Sequence, residues 1–290
     1  MNFLQVLIMA VLQGITEFLP VSSTGHLVII EHLLQVNTEK GMLAAMILHI
    51  GTLLAIIVVF RNDVNNLILE LKNMYIDIVR NTITLWHNQR RNDARRYLKI
   101  LSNNNRKFAA MIMVSMVPTV IIGLLLRTTA ERSQSSLLAT GIGLLATAVF
   151  LIVTNFTRQG EKRPLDIDIK IALFIGAIQG FAVFPGVSRV GITIAICLLC
   201  GLTCKFAIKY SFILSIPTII GASIVALAVA PEGILSGIEI IYCIIGTIVT
   251  AAVGLLFVKI ALRLIKKERL KYFACYSLII GIVAIAYHFA

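Results

Sequence analysis

Charge is what this 290-residue sequence has least of: 14% of its residues are Asp, Glu, Lys or Arg, against 58% that are hydrophobic. A soluble domain carries roughly a quarter charged residues, so a water-facing shell cannot be built from this chain. A single soluble domain is excluded, and a mean hydropathy of +0.92 makes lipid the natural solvent. Acidic residues are scarcer than basic ones, 14 against 26. In a soluble protein the resulting +12 would suggest nucleic acid. Here the basic residues fall between apolar runs, so they report topology and no nucleic-acid partner is expected. Six prolines and scattered glycines exclude a low-complexity chain. No Lys or Arg precedes the first apolar stretch, which carries Gln13 and Glu17, so that stretch does not read as a cleaved secretory signal. Cysteine is also sparse. Cys197 and Cys200 form a CxxC, but neither a second pair nor a nearby His completes a zinc site. Together with Cys204, Cys243 and Cys275 they are expected to be buried, inert thiols.

Six apolar runs are long enough to cross a hydrocarbon core of roughly 30 Å: 42–60, 108–126, 137–154, 210–230, 238–258 and 272–290. Two more, 1–30 and 171–200, are interrupted by Pro, Gly and polar residues. The linkers 61–107, 155–170 and 259–271 are rich in Lys and Arg and are expected on the cytoplasmic side. By contrast, 231–237 has no basic residue and 127–136 only Arg127 and Arg132. With those sides set, 22 of the 26 basic residues are cytoplasmic, and each interrupted segment must begin and end on one face. Segments 1–30 and 171–200 therefore read as re-entrant hairpins entering from opposite faces. Non-helical backbone at that depth needs protein or a polar cavity to satisfy it. The charges of 61–107 would suit anionic lipid, or simply a solvated loop.

The interrupted segments also resemble each other. Gln13-Gly14, Phe18, Ser22 and Gly25 recur 166 residues later as Gln179-Gly180, Phe184, Ser188 and Gly191, with Pro20 and Pro185 displaced by one. The expected architecture is an all-α polytopic membrane protein made of an inverted repeat, each half one hairpin plus three spans. The halves are 1–154 and 171–290 within a single membrane domain, 1–290.

The first break runs Glu17-Phe-Leu-Pro-Val-Ser-Ser-Thr-Gly-His26, the second Pro185-Gly-Val-Ser-Arg-Val-Gly-Ile-Thr193. Pro and Gly end one half-helix, and Ser or Thr caps the next. Each new N-terminus offers free N–H groups and partial positive charge, which suits phosphate. Arg189 inside an apolar segment needs an anionic partner, either Glu17 or a bidentate phosphate. Glu17 and His26 can move protons. Ser22, Ser23 and Thr24 read as caps, with or without phosphate contact. His49, mid-span beside Gly51-Thr52, reads as a helix-packing residue.

These motifs resemble those of the bacitracin-resistance family of undecaprenyl-diphosphate phosphatases. Gln13 to Glu17 followed by Pro20 to His26 is similar to that family's (E/Q)xxxE and PVSSTGH segments, and Pro185 to Thr193 to its PGxSRSxxT segment. The likeness spans nearly the whole chain. It implies removal of the terminal phosphate of a polyprenyl diphosphate at the extracytoplasmic side of a bacterial cell membrane, recycling a cell-wall lipid carrier. It implies a divalent cation, Mg2+ or Ca2+. Glu17, His26 and Arg189 would be catalytic, with Glu17 also the metal residue. Gln13, Ser22, Ser23, Thr24, Ser188 and Thr193 would bind substrate. Gln13 replaces a frequent Glu, removing one carboxylate from a metal site, and Val190 replaces a Ser. Two other classes compete: a lipid-phosphate flippase without hydrolysis, and a non-catalytic lipid-binding subunit. Membrane lipid is an expected partner, and a homodimer is left open.

Overall fold

A computed structural model describes residues 1–90, 95–158, 160–163, 166–230 and 233–289. Arg91, one of the basic residues of linker 61–107, lies outside them. Among the described residues there are eleven α-helices and no strand, only an isolated bridge between Lys162 and Leu202. Six long apolar stretches can cross a membrane. They contain α3 (Thr38–Val59), α5 (Asn104–Ser133), α6 (Leu137–Val153), α9 (Cys204–Val229), α10 (Gly237–Leu264) and α11 (Leu270–Phe289). The protein is an all-helical, multi-pass membrane protein, as its composition requires.

The interrupted segments are helix–break–helix units. α1 (Phe3–Thr16) and α2 (Ser23–Leu33) flank the first break; α7 (Ile169–Gly180) and α8 (Arg189–Leu199) flank the second. Arms of 11 to 14 residues are too short to span. Instead the arms of each unit pack against one another. Each first arm also lies on a long helix from the other part of the chain, α1 on α10 and α7 on α5. The two contacts match in detail. Thr250 Oγ1 donates to the Ala10 carbonyl (3.0 Å), and Thr119 Oγ1 donates to the Gly176 carbonyl (2.8 Å). Gly14 sits against Val253, and Gly180 sits against Ile122. Small residues and inter-helix hydrogen bonds are how helices associate where lipid removes the hydrophobic drive.

Three expectations are corrected. The linker 61–107 is not a loop for most of its length: Arg61–Arg90 forms α4, a 30-residue helix. The span expected at 108–126 continues to Ser133, where an Arg127–Glu131 pair at i, i+4 (2.6 Å) supports the last turns. The thiols are not uniformly buried. Cys197 and Cys243 are, but Cys200 and Cys204 are half-buried and Cys275 is exposed on the outer face of α11.

Candidate active site

The breaks meet. The first is a turn from Glu17 to Ser22, where Ser22 takes the positive φ of 69° and caps α2 by accepting from the Gly25 N–H (3.2 Å). A non-glycine residue held there stores strain of about 1–3 kcal/mol, which the surrounding contacts must sustain. In the second break Gly186 adopts φ +83°, and Ser188 caps α8 by accepting from the Gly191 N–H (3.0 Å). Thr147 on α6 holds this tip: its hydroxyl accepts from the Ser188 N–H (2.8 Å) and donates toward the Gly186 carbonyl (3.0 Å). The tips touch through Gly25 and Gly186. A β-carbon on Gly25 would lie 2.9 Å from the Gly186 Cα.

At the junction sits Glu17, almost fully buried. Its Oε1 takes the Arg189 guanidinium in an ion pair. Its Oε2 accepts from Ser23 Oγ (2.6 Å) and Gln13 Nε2 (2.8 Å). A second Arg189 nitrogen donates to the Ser215 carbonyl (3.2 Å). His49 completes the cluster, its Nε2 3.4 Å from Glu17 Oε2 and its Nδ1 donating to the Ala45 carbonyl (2.7 Å). The helix-packing role expected for His49 is therefore corrected: it stands beside the buried carboxylate. The available clue was its type, since an ionisable residue inside a span is costly without a polar task.

A cavity of about 950 Å³ opens above this cluster. Glu17, Ser22, Ser23, Thr24, His49, Ser188 and Arg189 line its floor, and mainly apolar residues of α3, α5 and α9 form its walls. Both helix N-termini thus reach it, with the first-turn N–H groups that a helix leaves open. The lining also reaches Glu39, Arg127, Gln134 and Ile234. Between the upper parts of α5 and α9, Gly123 and Gly221 line the wall with open space where a side chain would stand.

The remaining sequence-derived residues lie off the cavity surface. Gln13 is fully buried behind Glu17, and its Oε1 has no hydrogen-bond partner among the described residues. Thr193 points to Gln179 Oε1 (3.2 Å) and the Arg189 carbonyl (2.7 Å), bracing α8 against α7. His26 turns away. Its Nδ1–H donates to the Ser22 carbonyl (2.7 Å), which leaves Nε2 to accept from the Tyr276 hydroxyl (2.7 Å) on α11.

A family model described as Bacitracin resistance protein BacA matches residues 6–283. An undecaprenyl-diphosphatase of Methanosphaera stadtmanae is 37% identical over 286 residues, 98% of each chain. One of Korarchaeum cryptofilum is 35% identical over 286 residues, 99% of each. Undecaprenyl-diphosphatase 4 of Bacillus thuringiensis is 32% identical over 289 residues, 100% of this chain and 98% of the relative. The resemblance carried by two short motifs thus extends along the whole length, and the chain belongs to the bacitracin resistance protein BacA family.

Proposed function

We propose that the protein hydrolyses undecaprenyl diphosphate to undecaprenyl phosphate and inorganic phosphate at the floor of this cavity. The observation that carries the reading is the convergence of Arg189 and two capped helix N-termini on one buried carboxylate beneath a largely apolar chamber. The full-length relatives named undecaprenyl-diphosphatase support the same chemistry. Family membership supports its consequences: return of the lipid carrier to cell-wall synthesis, and bacitracin resistance.

Phosphoryl transfer asks a protein mainly for positioning and charge neutralisation. Arg189 and the first-turn N–H groups of α2 and α8 bind the diphosphate oxygens. The Ser22, Ser23, Thr24 and Ser188 hydroxyls complete the cradle. Gln13 and Thr193 act from behind, on Glu17 and on α8. As Arg189 moves from Glu17 to phosphate, Glu17 is freed to orient the attacking water and take its proton. The bond between the terminal phosphorus and the bridging oxygen breaks, and inorganic phosphate leaves. His26 serves through the hairpin, tying α2 to α11, rather than by touching the diphosphate.

A divalent cation, Mg2+ or Ca2+, fits this floor as an ion shared with substrate. Among the described residues no group of three or more His, Cys, Asp or Glu side chains stands ready to hold one. Glu17 supplies one carboxylate, and behind it the buried Gln13 Oε1, without a hydrogen-bond partner among the described residues, is an amide oxygen of the kind such ions accept. The diphosphate oxygens would supply the rest. When bound, the ion neutralises charge on the phosphates.

The repeat is part of this reading. The two hairpins, offset by 166 at Ala10/Gly176 and Gly14/Gly180, rest on helices offset by 131 at Thr119/Thr250 and Ile122/Val253. Equivalent contacts at constant offsets support an inverted repeat of 1–154 and 171–290, with a hairpin entering from each face. The cavity lining includes Arg127, Gln134 and Ile234 from the linkers poor in Lys and Arg, which supports an extracytoplasmic opening in the cell membrane.

The test is phosphate release from undecaprenyl diphosphate by the purified protein, with and without chelator. Glu17→Ala abolishes release, and chelator suppresses it in the wild type. Lipid movement across vesicles with no phosphate release would replace hydrolysis by transport. The prenyl tail runs out between α5 and α9 past Gly123 and Gly221. Gly221→Trp therefore raises KM for the C55 substrate by about tenfold, leaves kcat within about twofold, and spares a short-chain diphosphate. An equal effect on both chain lengths would place the tail elsewhere.

A further inference from the structure

The segment between α3 and α5 is the part of the chain that the reaction does not use. α4 is anchored at its start: Phe60 and Val64 join the core, and Asp63 pairs with Lys209 (2.5 Å). Beyond that it is covered mainly by the chain returning to α5, and the cover lies on its polar face. Asn81 exchanges two hydrogen bonds with the Leu98 backbone (2.9 and 2.8 Å), and Asn88 two with that of Arg95 (both 2.9 Å). Glu70 and Asp77 both accept from Arg106 (3.0 and 2.6 Å). The opposite stripe is bare. Ile68, Tyr75, Ile83 and Trp86 follow one another at helical spacing and are 61%, 69%, 60% and 57% exposed. A helix in water turns its polar face out and its apolar face in; this one does the reverse.

The charges sort in the same way. The three acidic residues of α4, Asp63, Glu70 and Asp77, are all paired. Arg61, Lys72, Arg80, Arg90, Arg96 and Lys99 are exposed and make no ion pair among the described residues. The face left over is apolar and of one sign. Arg90 stacks on Trp86, 3.8 Å from the ring centroid, which places a cation at the edge of the apolar stripe. Phe60 alone separates α4 from the end of the membrane span α3, so α4 starts at the membrane boundary.

We propose that α4 and the returning segment 95–103 form a platform for anionic phospholipid. The stripe from Ile68 to Trp86 lies in the leaflet at the Lys- and Arg-rich end of the spans, with the exposed cations on the headgroups. A second copy of the chain is the poorer occupant, because a symmetric contact would set these cations against each other.

Trp86 is the only tryptophan in the chain, so its fluorescence reports on α4 alone. The full-length protein is reconstituted in vesicles of phosphatidylcholine and phosphatidylglycerol, with or without bromine on the acyl chains. Brominated lipid lowers Trp86 emission at least about twofold while aqueous iodide has little effect, as for an indole at the acyl boundary. The triple charge reversal Lys72→Glu, Arg80→Glu, Arg96→Glu weakens the bromolipid quenching and leaves phosphate release unchanged. Strong quenching by iodide with none by bromolipid would put the stripe in water and overturn the proposal. Protection from both quenchers would mean that protein covers it, a second copy included, and would overturn it equally. Quenching that is the same in pure phosphatidylcholine and in the reversed variant would remove the anionic headgroup from the account.

Discussion

Replacing Arg189 with lysine lowers phosphate release at least about a hundredfold, although the charge is kept. The guanidinium reaches Glu17 and the Ser215 carbonyl through different nitrogens. An ammonium group is a single point donor and cannot span those partners while also presenting a flat pair of N–H groups to phosphate. Stability responds separately. Arg189→Ala leaves the buried Glu17 with only neutral donors and His49, and removing one member of a buried pair costs about 3–5 kcal/mol. Combining Arg189→Met with Glu17→Gln removes both charges, so most of that stability returns while activity does not. Thermal unfolding in detergent and phosphate release, measured on the same preparations, separate the two roles. Near wild-type turnover in the lysine variant would show that Arg189 only holds Glu17 in place, and any turnover in the double variant would show that neither charge serves the reaction.

The features legible in the sequence are those with a strong local physical cause. Apolar runs of span length marked the six stretches able to cross, and Pro, Gly and polar residues marked the two interrupted segments, whose arms pack on one another. Gln13 and Glu17, quoted from the first motif, stand four residues apart at the end of α1, and their side chains bond. His26 shows what adjacency in a motif does not give, namely where a side chain points. It lies one turn into α2, so its ring reaches back to the Ser22 carbonyl and outward to Tyr276, 250 residues away, instead of into the cavity. His49 shows the converse. Nothing beside it in sequence is polar except Thr52, and only the packing of α3 against the first break brings it to Glu17. The helicity of α4 was obscured because its polar face is written in Asn, Asp and Glu whose partners lie in the returning chain, so charge alone suggested a loop.

Gly25→Val abolishes phosphate release while removing no group that touches substrate. The first hairpin reaches the second where the Gly25 backbone meets that of Gly186, and Gly186 cannot yield. Its φ of +83° is one that side-chain-bearing residues rarely adopt, and its other side is pressed against Thr140 and Leu144 of α6. A valine must therefore push the α2 terminus away from the α8 terminus. A displacement of roughly 1 Å at such a site costs about a hundredfold in rate even when every chemical group is retained, and valine adds two methyl groups beyond the β-carbon that already meets Gly186 at 2.9 Å. The binding half of the expectation is equally sharp. With the N-termini separated, each still offers N–H groups, so inorganic phosphate binds weakly at either one, but no single site spans both phosphates of the substrate. Competition by a non-hydrolysable polyprenyl diphosphate analogue reads this directly: the variant's affinity for it falls to that for the monophosphate. Gly25→Ala is the graded control, with one methyl group to accommodate and an intermediate loss. If Gly25→Val kept both turnover and the preference for diphosphate, the two helix starts would not be acting together on one ligand.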